Sequence, residues 1–148
     1  MTAETPDPAL PAHHARTLSV LARARPGPLK ALAETLLDDL DGVEVLTNRT
    51  GLVMLPMTDP VQGTDFHLGE VLVAEAHIRT GAAEGYGMVT GRDLEQALAM
   101  AVVDAALMQG LRAGVIATFV ESEAAEQAEQ DRRSLCDIAA TRVDMETF

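Results

Sequence analysis

The segment Gly85-Tyr86-Gly87, followed by Gly91-Arg92-Asp93, holds the residues best suited to phosphate chemistry. A helix is predicted to begin at Asp93, and free amides at a helix N-terminus attract phosphate, as a guanidinium group does. The segment lacks the Gly-Lys-Ser/Thr ending of a P-loop, however, and is expected to follow an antiparallel strand. We therefore favour a structural turn with Arg92 in an ion pair, and keep a phosphate or phosphonate site around Arg92 as the alternative.

Two carboxylates lie on faces that are otherwise predicted to be apolar, where an unpaired charge is costly. Glu70 is the one charge on the dry face of a long predicted strand, unless a bulge at Gly69 turns it outward. We favour the bulge over a Glu70 that faces a ligand. Asp104 is the only charge between Ala97 and Met108 of a predicted helix, so it must be hydrogen-bonded. A structural partner, an arginine or a backbone amide, is favoured over catalysis because acid–base chemistry usually needs a second group.

Metal and thiol chemistry have little support in the sequence. The four histidines (His13, His14, His67 and His77) include no pair at i, i+4 on a predicted helix, so no metal site is expected. Cys136 is the only cysteine, which excludes an intrachain disulfide and an iron–sulfur cluster held by four thiolates. We expect Cys136 to pack against apolar neighbours. We assign this chain no catalytic residue and no cofactor.

Composition and net charge limit the kinds of partner that this chain is expected to bind. The chain has 148 residues, of which 47% are hydrophobic and 23% charged, values typical of one folded domain. Eleven basic and 23 acidic residues give a net charge of -12, which repels nucleic acid and anionic membranes. Three Phe, one Tyr and no Trp are too few for a base-stacking platform. Without a signal peptide or a long apolar run, the cytoplasm is the expected compartment.

The helices that must position these side chains follow from the hydrophobic periodicity. Residues 1–8 are predicted to be a disordered tail, and residues 9–148 a single domain. A first helix is predicted from Ala9 to about Arg25, where an Arg-Pro-Gly-Pro string ends it. Pro28 then opens a second helix that ends near Gly42.

After the second helix, the hydrophobic period changes from 3.6 to 2, which predicts strands. Residues 43–45 and 52–57 are predicted to form a hairpin around a turn at Thr47-Asn48-Arg49-Thr50-Gly51. Residues 66–79 carry the strongest strand pattern, and residues 86–90 are expected to return antiparallel beside them. The predicted sheet therefore has about four strands.

Two helices complete the predicted fold. A helix over residues 93–109 is expected to cover the sheet, with Asp93 as its N-cap. A long helix over residues 118–143 is polar in its early half, and its apolar stripe is confined to its end: Leu135, Ile138, Ala139 and Val143. Such a helix is expected to leave its own core. The fold class is thus α+β, with two N-terminal helices, an antiparallel sheet, a covering helix and a long C-terminal helix.

Seven short segments occur in an order that spans nearly the whole chain. They are Ser19-Val20-Leu21-Ala22, Thr50-Gly51-Leu52-Val53, Phe66 with Leu68-Gly69-Glu70, Gly85-Tyr86, Gly91-Arg92-Asp93, Asp104-Ala105 and Thr141-Arg142-Val143-Asp144. In order and spacing, this chain resembles the PhnG family, the small subunit of the bacterial carbon–phosphorus lyase core complex.

The resemblance implies a role in the use of phosphonates as a phosphorus source. The family takes part in replacing the adenine of ATP by an alkylphosphonate, which gives ribose 1-methylphosphonate 5-triphosphate and free adenine. It implies sister subunits as partners, chiefly a nucleosidase-like subunit that holds the reaction centre. A separate radical-SAM subunit with an iron–sulfur cluster later breaks the carbon–phosphorus bond. The resemblance implies no catalytic residue for this chain.

Two functional hypotheses from different classes follow. In the first, the chain is a structural subunit whose terminal helix and one sheet face pack on the nucleosidase-like partner. In the second, Arg92, with Arg79 or Arg49, grips the triphosphate or phosphonate while Glu70 steers the attacking group. We favour the first because the sequence shows no acid–base pair and no cofactor loop. An unrelated acidic dimerisation domain is a weaker third hypothesis, and exposed apolar surface predicts some homodimer when the chain is isolated.

Overall fold

A computed structural model describes residues 9–81 and 83–143 of the chain. Its elements, in chain order, are α1 (Ala9–Ala22), α2 (Pro26–Leu37), β1 (Val43–Thr58), β2 (Asp65–Thr80), β3 (Ala83–Thr90), α3 (Leu94–Met108) and α4 (Ala113–Ala140). The predicted α+β class is confirmed. The predicted tail, residues 1–8, lies outside the described residues.

The break between the first two helices lies slightly before its predicted position, since α1 ends at Ala22 rather than about Arg25 and α2 begins at Pro26 rather than Pro28. The second helix also ends earlier than predicted, at Leu37 rather than near Gly42. Arg25 adopts an extended conformation, and Pro26 opens α2, where its missing N–H costs no helical hydrogen bond. Leu21 of α1 and Leu29 and Leu36 of α2 are completely buried, so both helices contribute to one core.

The sheet has three strands in the order β1-β2-β3, all antiparallel, rather than about four. The predicted turn at residues 47–51 does not form, because β1 continues through it for 16 residues. There Arg49 lies opposite Glu75, and its Nε donates to that carboxylate at 2.6 Å. Continuous pairing with β2 stabilises the extended backbone, and this outweighs the local turn preference of Asn and Gly.

The helix α3 lies very close to β3 on the inner face of the sheet. A Cβ atom at Gly85 would overlap the carbonyl oxygen of Ala101, and one at Gly87 would lie 2.9 Å from the amide nitrogen of Ala101. Gly85 and Gly87 therefore lie in a strand and let a helix backbone approach, whereas the predicted turn is found only at Gly91 and Arg92, where the chain bends between β3 and α3. The prediction that Asp93 caps α3 is confirmed, because its carboxylate accepts from the amide of Gln96 at 2.9 Å.

The helix α4 begins earlier than predicted, at Ala113, and only its first half packs on the rest of the chain. Ile116, Val120, Glu123 and Gln127 form its buried stripe. Every residue of α4 from position 131 onward is exposed, including Cys136, which does not pack among apolar neighbours as predicted. The part of α4 beyond Gln127 leaves the core as expected, but the early half packs in the core, and the predicted apolar residues Leu135 and Ile138 are exposed.

A buried carboxylate of α4 holds the connection between α1 and α2. Glu123 is 1% exposed and accepts from the Arg25 backbone amide at 3.0 Å and from its guanidinium Nη2 at 2.6 Å. Burial raises the pKa of Glu123, but the hydrogen bonds from Arg25 outweigh it and leave that pKa below its usual value. The side chain of Gln127 donates to the carbonyl of Val20 at 2.9 Å and so satisfies the end of α1.

Substitution of Gly85 by Ala should destabilise the fold, because the new methyl group would force α3 away from β3. We expect the free energy of unfolding to fall by about 3 kcal/mol, measured by urea denaturation. Gly51→Ala is the matched control, since a Cβ at this exposed strand position meets nothing within 4 Å. Equal effects of the two substitutions would contradict the close approach.

Substitution of Glu123 by Gln should weaken the connection between α1 and α2, because Gln loses the charge and one acceptor oxygen. We expect the free energy of unfolding to fall by about 2 kcal/mol at pH 7. The folded pKa of Glu123 is lowered, so its contribution is complete above the unfolded pKa of about 4.3 and disappears as the pH falls through the folded pKa. The difference between the two proteins should therefore shrink below about pH 4.

The control for this substitution is Glu121→Gln, an exposed carboxylate of α4 paired with Arg16. Its effect at pH 7 should be much smaller, because exposed ion pairs contribute little. A difference between Glu123→Gln and wild type that stays constant from pH 7 to pH 3 would exclude the proposed role of the charge.

Candidate functional site

The structure does not bring the three predicted site residues, Arg92, Glu70 and Arg79, into one place. Glu70 and Arg79 are nine positions apart on β2, which separates them by roughly 30 Å. Arg79 is also occupied, since its guanidinium contacts Glu84 at 3.2 Å and Glu44 at 3.7 Å. A single substrate phosphate could not contact both Glu70 and Arg79.

Glu70 is exposed, but not for the reason expected. The irregularity in the strand falls one residue earlier, at Leu68, because Leu55 pairs with Gly69 and Pro56 with His67. Glu70 itself sits in a regular pair and is exposed because β2 at this point extends beyond α3 and β3.

Arg92 is exposed just beyond β3, and the ion pair expected for it is not found among residues 9–81 and 83–143. The preceding Gly91 has a φ of 102° and donates its N–H to the carbonyl of Leu72 at 2.9 Å. Arg92 therefore follows the point where β3 leaves β2, two positions along β2 from Glu70. These two side chains lie toward the same end of the sheet.

Asp104 has the structural role that was favoured for it. Its side chain is 6% exposed, accepts from the amide of Tyr86 at 2.9 Å and contacts Nε2 of His14 at 2.6 Å. The predicted hydrogen bond from a backbone amide is thus confirmed. The contact with His14, which lies 90 positions away in the sequence, was not predicted. The contact ties α1 and β3 to α3, and both oxygens of the carboxylate are engaged.

A polar network on the outer face of the sheet was also missed. The Glu75 carboxylate accepts from Arg49 at 2.6 Å and from the hydroxyl of Tyr86 at 2.9 Å, and the Arg49 bond is the largest cause of its lowered pKa. His77 contacts Glu84 at 2.9 Å, and that bond is the largest cause of the lowered pKa of Glu84. Through these hydrogen bonds the two carboxylates cross-link the three strands. The polar positions of β2 alternate along the strand, and this was the only signal for the network in the sequence.

No group of three or more His, Cys, Asp and Glu side chains in residues 9–81 and 83–143 could hold a metal ion. None of the helices described is long and apolar enough to cross a membrane.

A groove of about 300 Å³ lies between α2 and α3. Its walls include Leu37, Leu98 and Val102, and its one basic residue, Lys30, is held by Asp93 at 2.9 Å. The groove therefore offers no free cation to an anionic substrate.

The most prominent uncovered surface is apolar. We call the two-stranded part of the sheet that extends beyond β3 the arm; it comprises residues 52–58 of β1 and 65–72 of β2 with their connection. Its exposed large apolar side chains are Leu52, Val53, Met54, Leu55, Met57, Val61, Phe66 and Leu68. Leu135 and Ile138 at the end of α4 form a second exposed apolar surface. The described residues thus offer apolar contact surfaces beside a polar network whose members are paired with one another.

Comparison with known proteins finds relatives whose descriptions name them as subunits of a ribose 1-methylphosphonate 5-triphosphate synthase and of a C-P lyase. The chain is 33% identical over 147 residues to the alpha-D-ribose 1-methylphosphonate 5-triphosphate synthase subunit PhnG of Rhizobium meliloti (strain 1021), covering 99% of this chain and 94% of that protein. It is 32% identical over 124 residues to HtxH of Stutzerimonas stutzeri, described as a candidate C-P lyase subunit. That match covers 74% of this chain but only 33% of HtxH.

The family model for the phosphonate metabolism protein PhnG matches residues 12–148, which include every element described above except the start of α1. The resemblance inferred from the seven short segments is therefore confirmed. The chain belongs to the PhnG family of phosphonate metabolism proteins.

Proposed function

We propose that this chain is a non-catalytic subunit of an alpha-D-ribose 1-methylphosphonate 5-triphosphate synthase in the carbon–phosphorus lyase core complex, where it supports assembly with sister subunits. The proposal is supported by the family and by the description of the relative that the chain matches over nearly its full length. ATP and an alkylphosphonate are the substrates of the complex in this proposal, and the cytoplasm, where ATP is available, is its compartment.

The observation that carries the non-catalytic role is that the titratable groups brought together by the fold are already paired with one another. Asp104 and Glu123 are buried, and both are fully engaged in holding helices together. Of the exposed candidates, Glu70 and Arg79 lie at opposite ends of β2. General acid–base chemistry needs a donor and an acceptor within hydrogen-bond reach of one substrate. The exposed His77 and Glu84 are bonded to each other at 2.9 Å, and Glu84 also accepts from Arg79 at 3.2 Å.

The proposed reaction requires two catalytic groups that we do not assign to this chain. A phosphonate oxygen attacks C1 of the ribose, the bond from C1 to adenine breaks, and adenine leaves with the bonding electrons and takes up a proton. This step needs one group that protonates adenine and another that holds the phosphonate in line. We assign both to the nucleosidase-like sister subunit, and we assign to this chain the contacts that hold that subunit in place.

The proposal is tested by adding the purified chain to the other core subunits with ATP and methylphosphonate. The chain alone should release no adenine, the other subunits without it should release little, and the two together should restore release, as measured by chromatography of free adenine. Adenine release by the chain alone, or full activity without it, would contradict the proposal.

One observation favours a second candidate function, direct contact with substrate through Arg92 and Glu70. Both side chains are exposed, both lie toward the same end of the sheet, and neither forms an ion pair within the described ranges. In a chain with a net charge of -12, an arginine without a carboxylate partner is a suitable contact for a phosphate group. Arg79 and Arg49 are less suitable, since both are engaged by glutamates.

Substitution of Arg92 by Ala separates the two candidates. If the chain only supports assembly, the assembled Arg92→Ala complex should release adenine at a rate within about threefold of wild type. If Arg92 grips a phosphate group, the rate should fall by about 100-fold while assembly stays normal. Arg16→Ala is the matched control, an exposed arginine of α1 whose partner is Glu121.

A further inference from the structure

The arm extends well beyond the rest of the sheet. The last pair between β3 and β2 joins Thr90 to Val73, followed by the hydrogen bond from Gly91 to Leu72. From there to Asp65, β2 is paired with β1 alone. Eight residues in extended conformation span about 26 Å, so the arm is a long two-stranded ribbon without a covering helix.

Both faces of the arm expose large apolar side chains. Val53, Leu55 and Met57 alternate along β1 and point to one face, where Phe66 lies opposite Met57. Leu52 and Met54 point to the other face, and they are 62% and 61% exposed. That face also carries Glu70, opposite Met54, and His67, opposite Pro56. A sheet with one solvated face normally keeps its large apolar residues on the other face, whereas the arm exposes them on both.

An isolated two-stranded ribbon is only marginally stable in water, and contact along one face would leave the other apolar face exposed. We infer that the arm inserts into a cleft of a sister subunit that covers both of its faces. This inference rests on the proposed function, since it requires the chain to act within a complex.

The charges of the arm favour a different protein over a second copy of this chain as the occupant. Between Thr50 and Leu72 the sequence contains Asp59, Asp65 and Glu70, but no Lys or Arg. Two arms in contact would place three carboxylates against three, in chains that each carry a net charge of -12. The cleft is therefore expected to have apolar walls and Lys or Arg side chains at its mouth.

Two double variants test the cleft, one for each face of the arm. Leu55→Ser with Phe66→Ser changes one face, and Leu52→Ser with Met54→Ser changes the other. These positions are exposed in the isolated chain, so both variants should fold, which circular dichroism and urea denaturation would verify. The readout is the affinity for the co-expressed sister subunits, measured by biolayer interferometry.

Each double variant should weaken this affinity by about tenfold or more, because each removes apolar area from a buried contact. The control Val115→Ser, at a residue of α4 that is 52% exposed, should change it by less than about twofold. An effect of only one double variant would show that the arm lies on a flat surface, and an effect of neither would show that it does not dock. Either result overturns the cleft.

Two further measurements test the choice of partner and the proposed function separately from the proposed cleft. Sedimentation of the isolated wild-type chain as a stable dimer that both double variants dissociate would overturn the choice of a different protein as partner. Failure of the wild-type chain to bind the sister subunits would contradict the proposed function itself. Normal binding by the wild type and by both double variants would contradict the proposed cleft and leave the proposed function intact. In the complex, backbone amides of both arm strands should become protected from hydrogen exchange.

Discussion

The close approach of α3 to β3 is the constraint on which the rest of the structure depends. Gly85 and Gly87 have no side chains, and the facing positions of α3 are alanines, Ala97, Ala101 and Ala105, so the helix rests almost directly on the strand. With α3 fixed there, its remaining surface becomes the wall on which α1, α2 and the first half of α4 assemble. All the helices that pack on the sheet consequently lie on one side. The opposite face is left to a network of paired charges.

Hydrogen bonds from buried polar groups join the helices in this fold. Glu123, Gln127 and Gln96 satisfy the ends of α1 and α2, and Asp104 joins three elements. Among the described residues, no buried side-chain nitrogen or oxygen lacks a hydrogen-bond partner. Because these groups are engaged structurally, they are not free for the proton transfers that a self-sufficient enzyme requires. The structural engagement of these groups agrees with the proposed non-catalytic role.

The exposed apolar surface is concentrated in the two parts of the chain that extend beyond its packed core. The arm and the end of α4 both extend past the layer that α3 organises, and both expose large apolar side chains. A chain with a net charge of -12 is poorly suited to burying such surfaces against copies of itself. Membership of a family of phosphonate metabolism proteins, together with relatives described as subunits, agrees with surfaces that are completed by other chains.

The sequence by itself determined the features that depend on local pattern. Helical periodicity and the prolines located α2, Asp93 located the start of α3, and the polar composition of α4 indicated that this helix leaves the core, although only its part beyond Gln127 does so. The long strand β2 followed from its alternation, because a period of two needs only neighbouring residues. The family could be recognised for the same reason, since short segments in order are a property of the chain alone.

Only the tertiary structure decided which partner each residue meets. It extended β1 through a segment with turn propensity, because pairing with β2 is stronger than a local preference. It paired Asp104 with His14 across 90 positions, and it left Arg92 without an ion pair among the described residues while occupying Arg79. Local sequence specifies periodicity and caps, but it does not specify which of several similar side chains the folded chain brings within hydrogen-bond distance.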